Sequence, residues 1–145
     1  MIKFGKRLKN IEKRLPLLVE VLRKRKDILV IYLFGSRATN SADDLSDIDI
    51  ALLLIGDSAS LETELNILGE INSILKTDEV SLVILNNAPL VIRYGVMKES
   101  KILYCQDHNL RLTFEESVIK KYLDFKYFLN IYDKEFISIM RSGKI

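Results

Sequence analysis

The sequence contains very few of the residues that form disulfides or histidine–cysteine metal sites. Its 145 residues include one cysteine, Cys105, and one histidine, His108. A single cysteine excludes an internal disulfide, which is typical of proteins in the reducing cytosol. No second histidine or cysteine lies near His108 at the spacing of metal ligands, so we expect it to be a surface residue. We expect Cys105 to end a strand and to be buried, without acting as a nucleophile.

Long apolar runs are also missing. No segment approaches the roughly 20 apolar residues that a membrane-spanning helix requires, and the first ten residues lack the apolar core of a secretory signal peptide. The composition, 48% hydrophobic and 29% charged, is that of a globular domain with its own core. We therefore predict a cytoplasmic protein without a membrane partner.

The small net charge of +2 conceals an uneven distribution along the chain. Residues 1–27 carry ten Lys or Arg and three Asp or Glu, whereas residues 36–81 carry two and ten. An acidic middle disfavours phosphate binding unless cations mediate it, which is a first indication of a metal. The basic run at 23–26 has no interleaved aromatic residues. It therefore favours a solvated face or a partner surface, and a nucleic-acid partner is disfavoured.

Hydrophobic periodicity divides the chain into alternating helices and strands, which predicts an α/β fold. Pro16 is expected to kink or break the first helix and to start a second one that ends near residue 26. A capping box at Thr113 and Glu116 predicts the start of the last helix. The predicted strands are 28–34, 47–55, 80–85 and 101–105, and the later helices are 60–76, 89–97 and 113–140.

The stretch LFGSRATNSADDLSDIDI, residues 33–50, carries the chemistry. Gly35 and Ser36 follow a strand, where a glycine lets the backbone approach a phosphate and the amides and hydroxyl can donate to it. Asp47 and Asp49 open the next strand on one face, about 6–7 Å apart. Two carboxylates so close repel each other unless a cation lies between them, and Mg²⁺ prefers such oxygen ligands. Together they predict a nucleoside-triphosphate site.

Each half of this pattern has an ordinary explanation when taken alone. A Gly-Ser pair after a strand is usually a turn, and an Asp-x-Asp is usually a solvated strand start. The combination is more specific, because ten residues separate the two halves and an apolar strand flanks each.

The segments YLFGSRA, SDIDIALLL, VSLVILNNAPLVIRYGVMKESKILYC and FEESVIKKYLDFK carry a family likeness. The chain resembles the minimal nucleotidyltransferases (MNT) of the DNA polymerase β-like superfamily, in the MntA-type antitoxin group of HEPN–MNT toxin–antitoxin pairs. The resemblance implies a small mixed β-sheet flanked by helices, with a long C-terminal helix. It also implies transfer of AMP from ATP, with Mg²⁺, to a tyrosine of a HEPN ribonuclease toxin, with which the chain forms a hetero-oligomer.

The resemblance also implies roles for single residues. Gly35 and Ser36 hold the phosphates, and Asp47 and Asp49 are the catalytic metal ligands. Arg37 is a candidate for contact with the triphosphate, with a solvent-exposed position as the alternative. Apart from the resemblance, Arg93 and Tyr94 follow Pro89 on a predicted helix near the expected site, so they are candidates for contact with the base, with packing as the alternative.

One position departs from the family pattern. The third carboxylate of the family corresponds here to Ser81, whose hydroxyl is a weak Mg²⁺ ligand and a poor base. Three outcomes stay open: Glu79, two residues earlier on the same strand face, supplies the ligand; the enzyme is slow; or the chain is a binding-only antitoxin that blocks its toxin sterically. A small-molecule nucleotidyltransferase of the aminoglycoside-modifying type is disfavoured, because no second domain is evident to hold such a substrate.

We predict two parts in the chain. Residues 1–108 form the nucleotidyltransferase domain, including the basic N-terminal helical segment. Residues 109–145 form a helical arm that packs on the domain or on a partner.

Overall fold

The computed structural model describes residues 5–35, 48–56, 59–76 and 79–142. These residues contain four α-helices and four strands. In chain order they are α1 (Gly5–Leu22), β1 (Ile28–Phe34), β2 (Ile48–Leu54), α2 (Leu61–Leu75), β3 (Val80–Ile84), a 3-10 turn (Leu85–Asn87), α3 (Leu90–Lys98), β4 (Ser100–Cys105) and α4 (His108–Arg141). None of the helices in the described ranges is long and apolar enough to cross a membrane.

The four strands form one mixed sheet in the order β3-β2-β1-β4. β1 runs antiparallel to both β2 and β4, while β2 and β3 are parallel and are joined through α2. The strand bounds agree with the sequence prediction to within one residue, except that residue 47 lies outside the described residues. The predicted mixed-sheet fold with a long C-terminal helix is confirmed.

Both faces of the sheet are covered by helices, which explains why β1 and β2 are almost wholly apolar. One face packs against α1 and α2, through side chains such as Leu18 and Ile71. The other packs against α3 and the first turns of α4, through Val96 and Phe114. Side chains alternate along β2, so that Asp49 belongs to the face covered by α3 and α4, together with Ala51.

The predicted break at Pro16 is wrong, because α1 continues through it from Gly5 to Leu22. An internal proline costs a helix about 3 kcal/mol, but Leu18 and Leu22, which follow it, are fully buried. Their burial offsets that cost, at about 1.5–3 kcal/mol for each side chain. The helix also ends before the basic run at 23–26, where Arg25 leaves the helical path and pairs with Asp27.

The last helix begins five residues earlier than predicted, at His108. Its N-cap is Asp107, whose Oδ1 accepts a hydrogen bond from the Leu110 backbone N–H at 3.1 Å. The capping box at Thr113 is therefore wrong, since the Thr113 hydroxyl donates to the Asn109 carbonyl at 3.0 Å within the helix. His108 is exposed, as predicted. Cys105 ends β4, as predicted, but it is half-buried and not fully buried, because β4 lies at the edge of the sheet.

Candidate functional site

Gly35, immediately after β1, has a backbone conformation that favours glycine. Its φ of +73° lies in the left-handed region, which side chains disfavour. A Cβ at this position would collide with Oδ2 of Asp49 and would lie 3.1 Å from its Cγ. Gly35 is therefore required both by its dihedral angle and by the close approach of the carboxylate.

Asp49 lies near the start of β2, between the two neighbouring strands. It is in register with Phe34 on the antiparallel strand β1 and with Ser81 on the parallel strand β3. Its side chain is half-buried at the edge of the apolar face to which Ala51 belongs. The two strands of the motif thus place the Gly35 bend directly beside one carboxylate.

Ser81 occupies the position beside Asp49 on β3, and it is exposed. Glu79 is half-buried just before this strand, and its backbone carbonyl accepts a hydrogen bond from the Ile48 amide at 3.2 Å. Alternation along an extended chain gives residues 79 and 81 the same face. The register therefore puts a neutral hydroxyl beside Asp49, with a carboxylate two residues away along the chain.

The remaining predicted site residues, Ser36, Arg37 and Asp47, lie outside the described residues. Among the described residues, no group of three His, Cys, Asp or Glu side chains could hold a metal ion. Asp49 offers a hard carboxylate oxygen and Ser81 a hydroxyl oxygen, which fits Mg²⁺, an ion commonly held by one or two carboxylates together with substrate phosphates.

Arg93 and Tyr94 pack within the domain. Arg93 donates from Nε to the Leu85 carbonyl at 2.8 Å and from Nη2 to the Asn86 carbonyl at 2.7 Å, which secures the 3-10 turn after β3. Tyr94 stacks on Tyr122 of α4 with ring centroids 3.8 Å apart. Both residues therefore make packing contacts within the domain, while contact with the base stays a prediction.

A cavity of about 730 Å³ opens at the other end of the sheet. Leu29 at the start of β1 and Leu53 near the end of β2 line it, together with Phe114 of α4. Gly35 and Asp49 lie at the opposite ends of those same strands. The cavity is therefore separate from the contact between Gly35 and Asp49.

Nothing in the sequence indicated a partly buried polar cluster between β1 and α4. The Tyr32 hydroxyl donates to Oε2 of Glu115 at 2.8 Å, and Glu115 forms an ion pair with Arg111 at 3.1 Å. Burial, and then the hydrogen bond to Glu115, raise the pKa of Tyr32 far above its usual range. The partners are 83 residues apart, so no local pattern could indicate this contact.

The chain is similar to a protein of known activity and to solved structures. The Protein adenylyltransferase MntA of Aphanizomenon flos-aquae (strain 2012/KM1/D3) is 33% identical in an alignment of 95 residues, and the match covers 59% of this chain and 63% of that protein. The chain thus aligns with less than two thirds of that relative's length.

Two solved structures share the fold over nearly their whole length. A chain from a crystal structure of a toxin–antitoxin with AMP-PNP matches with a TM-score of 0.67 and 25% identity, over 87% of this chain and 98% of that one. A chain from the complex of tri-AMPylated Shewanella oneidensis HEPN toxin with MNT antitoxin matches with a TM-score of 0.66 and 24% identity, over 88% and 98% of the two chains.

The sequence family described as polymerase beta nucleotidyltransferase matches residues 17–109. The matched region includes both strands of the motif, with Gly35 and Asp49, and also Ser81. Because this match covers more than half of the sequence, the chain belongs to the polymerase beta nucleotidyltransferase family.

Proposed function

We propose that this chain is an antitoxin adenylyltransferase that transfers AMP from ATP to a tyrosine of a HEPN ribonuclease toxin and thereby neutralises it. The observation that carries the proposal is the close approach of the Asp49 carboxylate to the bend at Gly35. It occurs in a chain that belongs to the nucleotidyltransferase family. The likeness to the adenylyltransferase MntA and to toxin–antitoxin structures supports the choice of substrate.

Each site residue has a defined role in this proposal. The backbone at Gly35 and the hydroxyl of Ser36 donate hydrogen bonds to the triphosphate, and Arg37 adds a positive charge beside it. Asp47 and Asp49 hold Mg²⁺, which supplies charge neutralisation at the phosphates when bound. On β3, the residue in register with Asp49 is Ser81. Among the described strand residues, no third carboxylate is therefore in register with Asp49.

The reaction is a displacement at the α-phosphorus of ATP. The tyrosine hydroxyl oxygen forms a bond to that phosphorus, and the bond to the oxygen that bridges to the β-phosphate breaks. Pyrophosphate leaves with the bonding electron pair, and the hydroxyl proton passes to a base or to solvent. Asp49 is the described carboxylate nearest to the phosphate-binding bend, and Glu79 is a further candidate base and metal ligand.

The site of action follows from the substrates. ATP and an intracellular ribonuclease place the reaction in the cytoplasm, and the chain acts as part of a hetero-oligomer with its toxin. In this proposal residues 1–108 form the domain with the nucleotide site. The helical arm of residues 109–145 packs on that domain through its first turns, at Phe114 and Val118.

A second candidate function rests on Ser81. A neutral hydroxyl in register with Asp49 weakens the metal site relative to a third carboxylate. The second candidate is therefore an antitoxin that binds and blocks its toxin without transferring AMP.

One experiment separates the two candidates. The full chain is incubated with the HEPN toxin, labelled ATP and Mg²⁺, and label on the toxin is measured. We expect transfer by the wild type, loss of more than about 100-fold in Asp49→Asn and in Asp47→Asn, and no change in Asp124→Asn on the exposed surface of α4. We expect Ser81→Asp to increase the rate, and Glu79→Gln to lower it if Glu79 is a ligand.

The outcomes discriminate clearly. A toxin that is neutralised but never labelled, even by Ser81→Asp, would establish the binding-only antitoxin. Label transferred to an aminoglycoside and not to the toxin would instead identify a small-molecule nucleotidyltransferase.

A further inference from the structure

The distal half of α4 is a helix without cover from the rest of the described chain. Every described residue from 123 to 142 is exposed, although the same helix is buried at Val118. Many of these exposed side chains are large and apolar, among them Phe125, Leu129, Tyr132, Phe136 and Ile139, which we call the distal seam. Exposed apolar surface of this extent is typical of an interaction site.

The distal seam continues a stripe that the domain already uses. Val118 and Tyr122 precede it at spacings of four and three residues, and the same alternation of four and three runs through to Ile139. Val118 is 2% exposed, and Tyr122 stacks on Tyr94 of α3. The first part of the stripe therefore packs against a helix of its own chain, and the second part has the 3.5-residue repeat that packs against another helix.

The size of the distal seam suits a specific interface. Its members are 43–66% exposed, and aromatic side chains bury about 150–250 Å² when fully covered. Two seams packed together therefore remove on the order of 1,000 Å² from water, which is near the lower bound for a specific protein interface.

The charges beside the seam favour one direction of pairing with a second copy of this chain. With Leu129 and Phe136 at the a positions of the heptad, Lys126 and Asp133 are at e positions, and Lys121 is at a g position. In a parallel pair of identical helices, Lys121 lies beside Lys126 of the partner subunit, which is repulsive. In an antiparallel pair, Lys126 lies beside Asp133 of the partner subunit, and the two-fold axis repeats this attraction.

We propose that the distal seam of α4 pairs with the same seam of a second copy of this chain, as an antiparallel two-helix interface. In this arrangement Leu129 packs against Tyr132 of the partner subunit, and Phe125 packs against Phe136 of the partner subunit. Two nucleotidyltransferase domains then lie at opposite ends of one helical pair, each with its own Asp49. The inference does not depend on the proposed AMP transfer.

The test measures the oligomeric state of the full chain by sedimentation velocity over a range of concentrations. We expect a dimer for the wild type and a monomer for Leu129→Glu, whose dissociation constant rises by at least about 100-fold. Leu129 is exposed in the single chain, so we expect the circular dichroism spectrum of Leu129→Glu to match that of the wild type.

Charge exchange tests the direction of pairing. Lys126→Glu converts two attractive contacts into two repulsive ones and weakens the antiparallel dimer by roughly 10-fold. The double variant Lys126→Glu with Asp133→Lys restores the attraction and the wild-type dissociation constant. Lys134→Glu is the matched control, because it makes the same change of charge at the outward f position and leaves the dimer within about twofold of wild type.

Three results overturn the proposal. A wild type that is monomeric at about 100 µM excludes self-pairing, and if HEPN toxin then binds the wild type but not Leu129→Glu, the seam belongs to the toxin. A dimer that Leu129→Glu leaves intact uses another surface. A dimer that Lys126→Glu tightens is parallel.

Discussion

At the scale of single residues, Gly35 is the most constrained position of the site. Its positive φ and its contact with Asp49 both require the absence of a side chain. From the sequence, we predicted that Gly35 lets the backbone approach a phosphate. The neighbour that excludes a Cβ is a carboxylate, and this could not be read locally because Asp49 is on the next strand.

Gly35→Ala is expected to lose activity beyond what its effect on stability explains. A left-handed alanine costs about 1 kcal/mol, and the added Cβ also displaces the Asp49 carboxylate from the phosphate-binding bend. We expect AMP transfer to fall by at least about 100-fold, measured with purified toxin and labelled ATP.

Gly56→Ala is the matched control for this variant. Gly56 has a similar φ of +59°, but an added Cβ meets nothing within 4 Å. Gly56→Ala therefore introduces the backbone strain without the collision. It should lower the free energy of unfolding by about 1 kcal/mol and leave AMP transfer unchanged. Equal activity losses in the two variants would mean that strain, and not the Asp49 contact, is the cause.

At the scale of elements, α4 is held to the sheet by a buried hydroxyl. Tyr32 in the middle of β1 donates to Glu115, and Glu115 is also paired with Arg111 one turn earlier in α4. A phenolate at Tyr32 would be buried next to a carboxylate, which is why its pKa is raised. The sheet and α4 are thereby linked through a contact that requires the neutral hydroxyl.

This link predicts a pH dependence of the free energy of unfolding. Below pH 10, Tyr32 is neutral in both the folded and the unfolded chain, and its contribution is fully present. Above its usual pKa of 10.0 the unfolded chain loses the proton and the folded chain keeps it. The free energy of unfolding therefore falls by about 1.4 kcal/mol per pH unit from this residue.

Tyr32→Phe should remove the alkaline decline in the free energy of unfolding. At neutral pH it should lower that free energy by about 1–2 kcal/mol, because the hydrogen bond to the charged Glu115 is lost. Urea unfolding of both proteins at several pH values between 7 and 11 measures the difference. Tyr127→Phe, at an exposed hydroxyl of α4, is the control and should match the wild type within about 0.5 kcal/mol. Parallel declines in the wild type and Tyr32→Phe would contradict the assignment.

Helix boundaries show where local sequence rules stopped being sufficient. The sequence predicted a helix from residue 60, and Ser60 is the N-cap of α2, where its hydroxyl oxygen accepts a hydrogen bond from the Thr63 amide at 3.1 Å. Rules of the same local kind predicted a break at Pro16 and a helix start at Thr113, and both predictions are wrong. Burial after Pro16 outweighs the proline, and Asp107 provides an earlier cap than Thr113.

At the scale of the whole molecule, Asp49 lies on the middle one of three adjacent strands. Phe34 and Ser81 are its register partners on the two sides, so a ligand bound there depends on the folded sheet. A ligand that binds only the folded chain raises its stability by mass action.

ATP with Mg²⁺ is therefore expected to raise the thermal midpoint of the wild type. At a ligand concentration of about 100 times Kd the gain is about 2.7 kcal/mol, equivalent to roughly 5–10 °C for a domain of this size. The shift should disappear in Asp49→Asn and on addition of a chelator, and it should persist in Asp124→Asn. A shift that survives chelation would show that nucleotide binding does not need the metal.

The sequence by itself determined the apolar strands, most of the helices, and the glycine and carboxylate motif, because each depends on neighbours within a few residues. Only the tertiary structure decided that Ser81 lies beside Asp49, that Arg93 and Tyr94 pack inward, and that Tyr32 meets Glu115. It also decided which part of the α4 stripe is covered, since Val118 and Phe125 belong to one periodic pattern. Those outcomes depend on which distant segments the sheet brings together, and no local pattern carries that information.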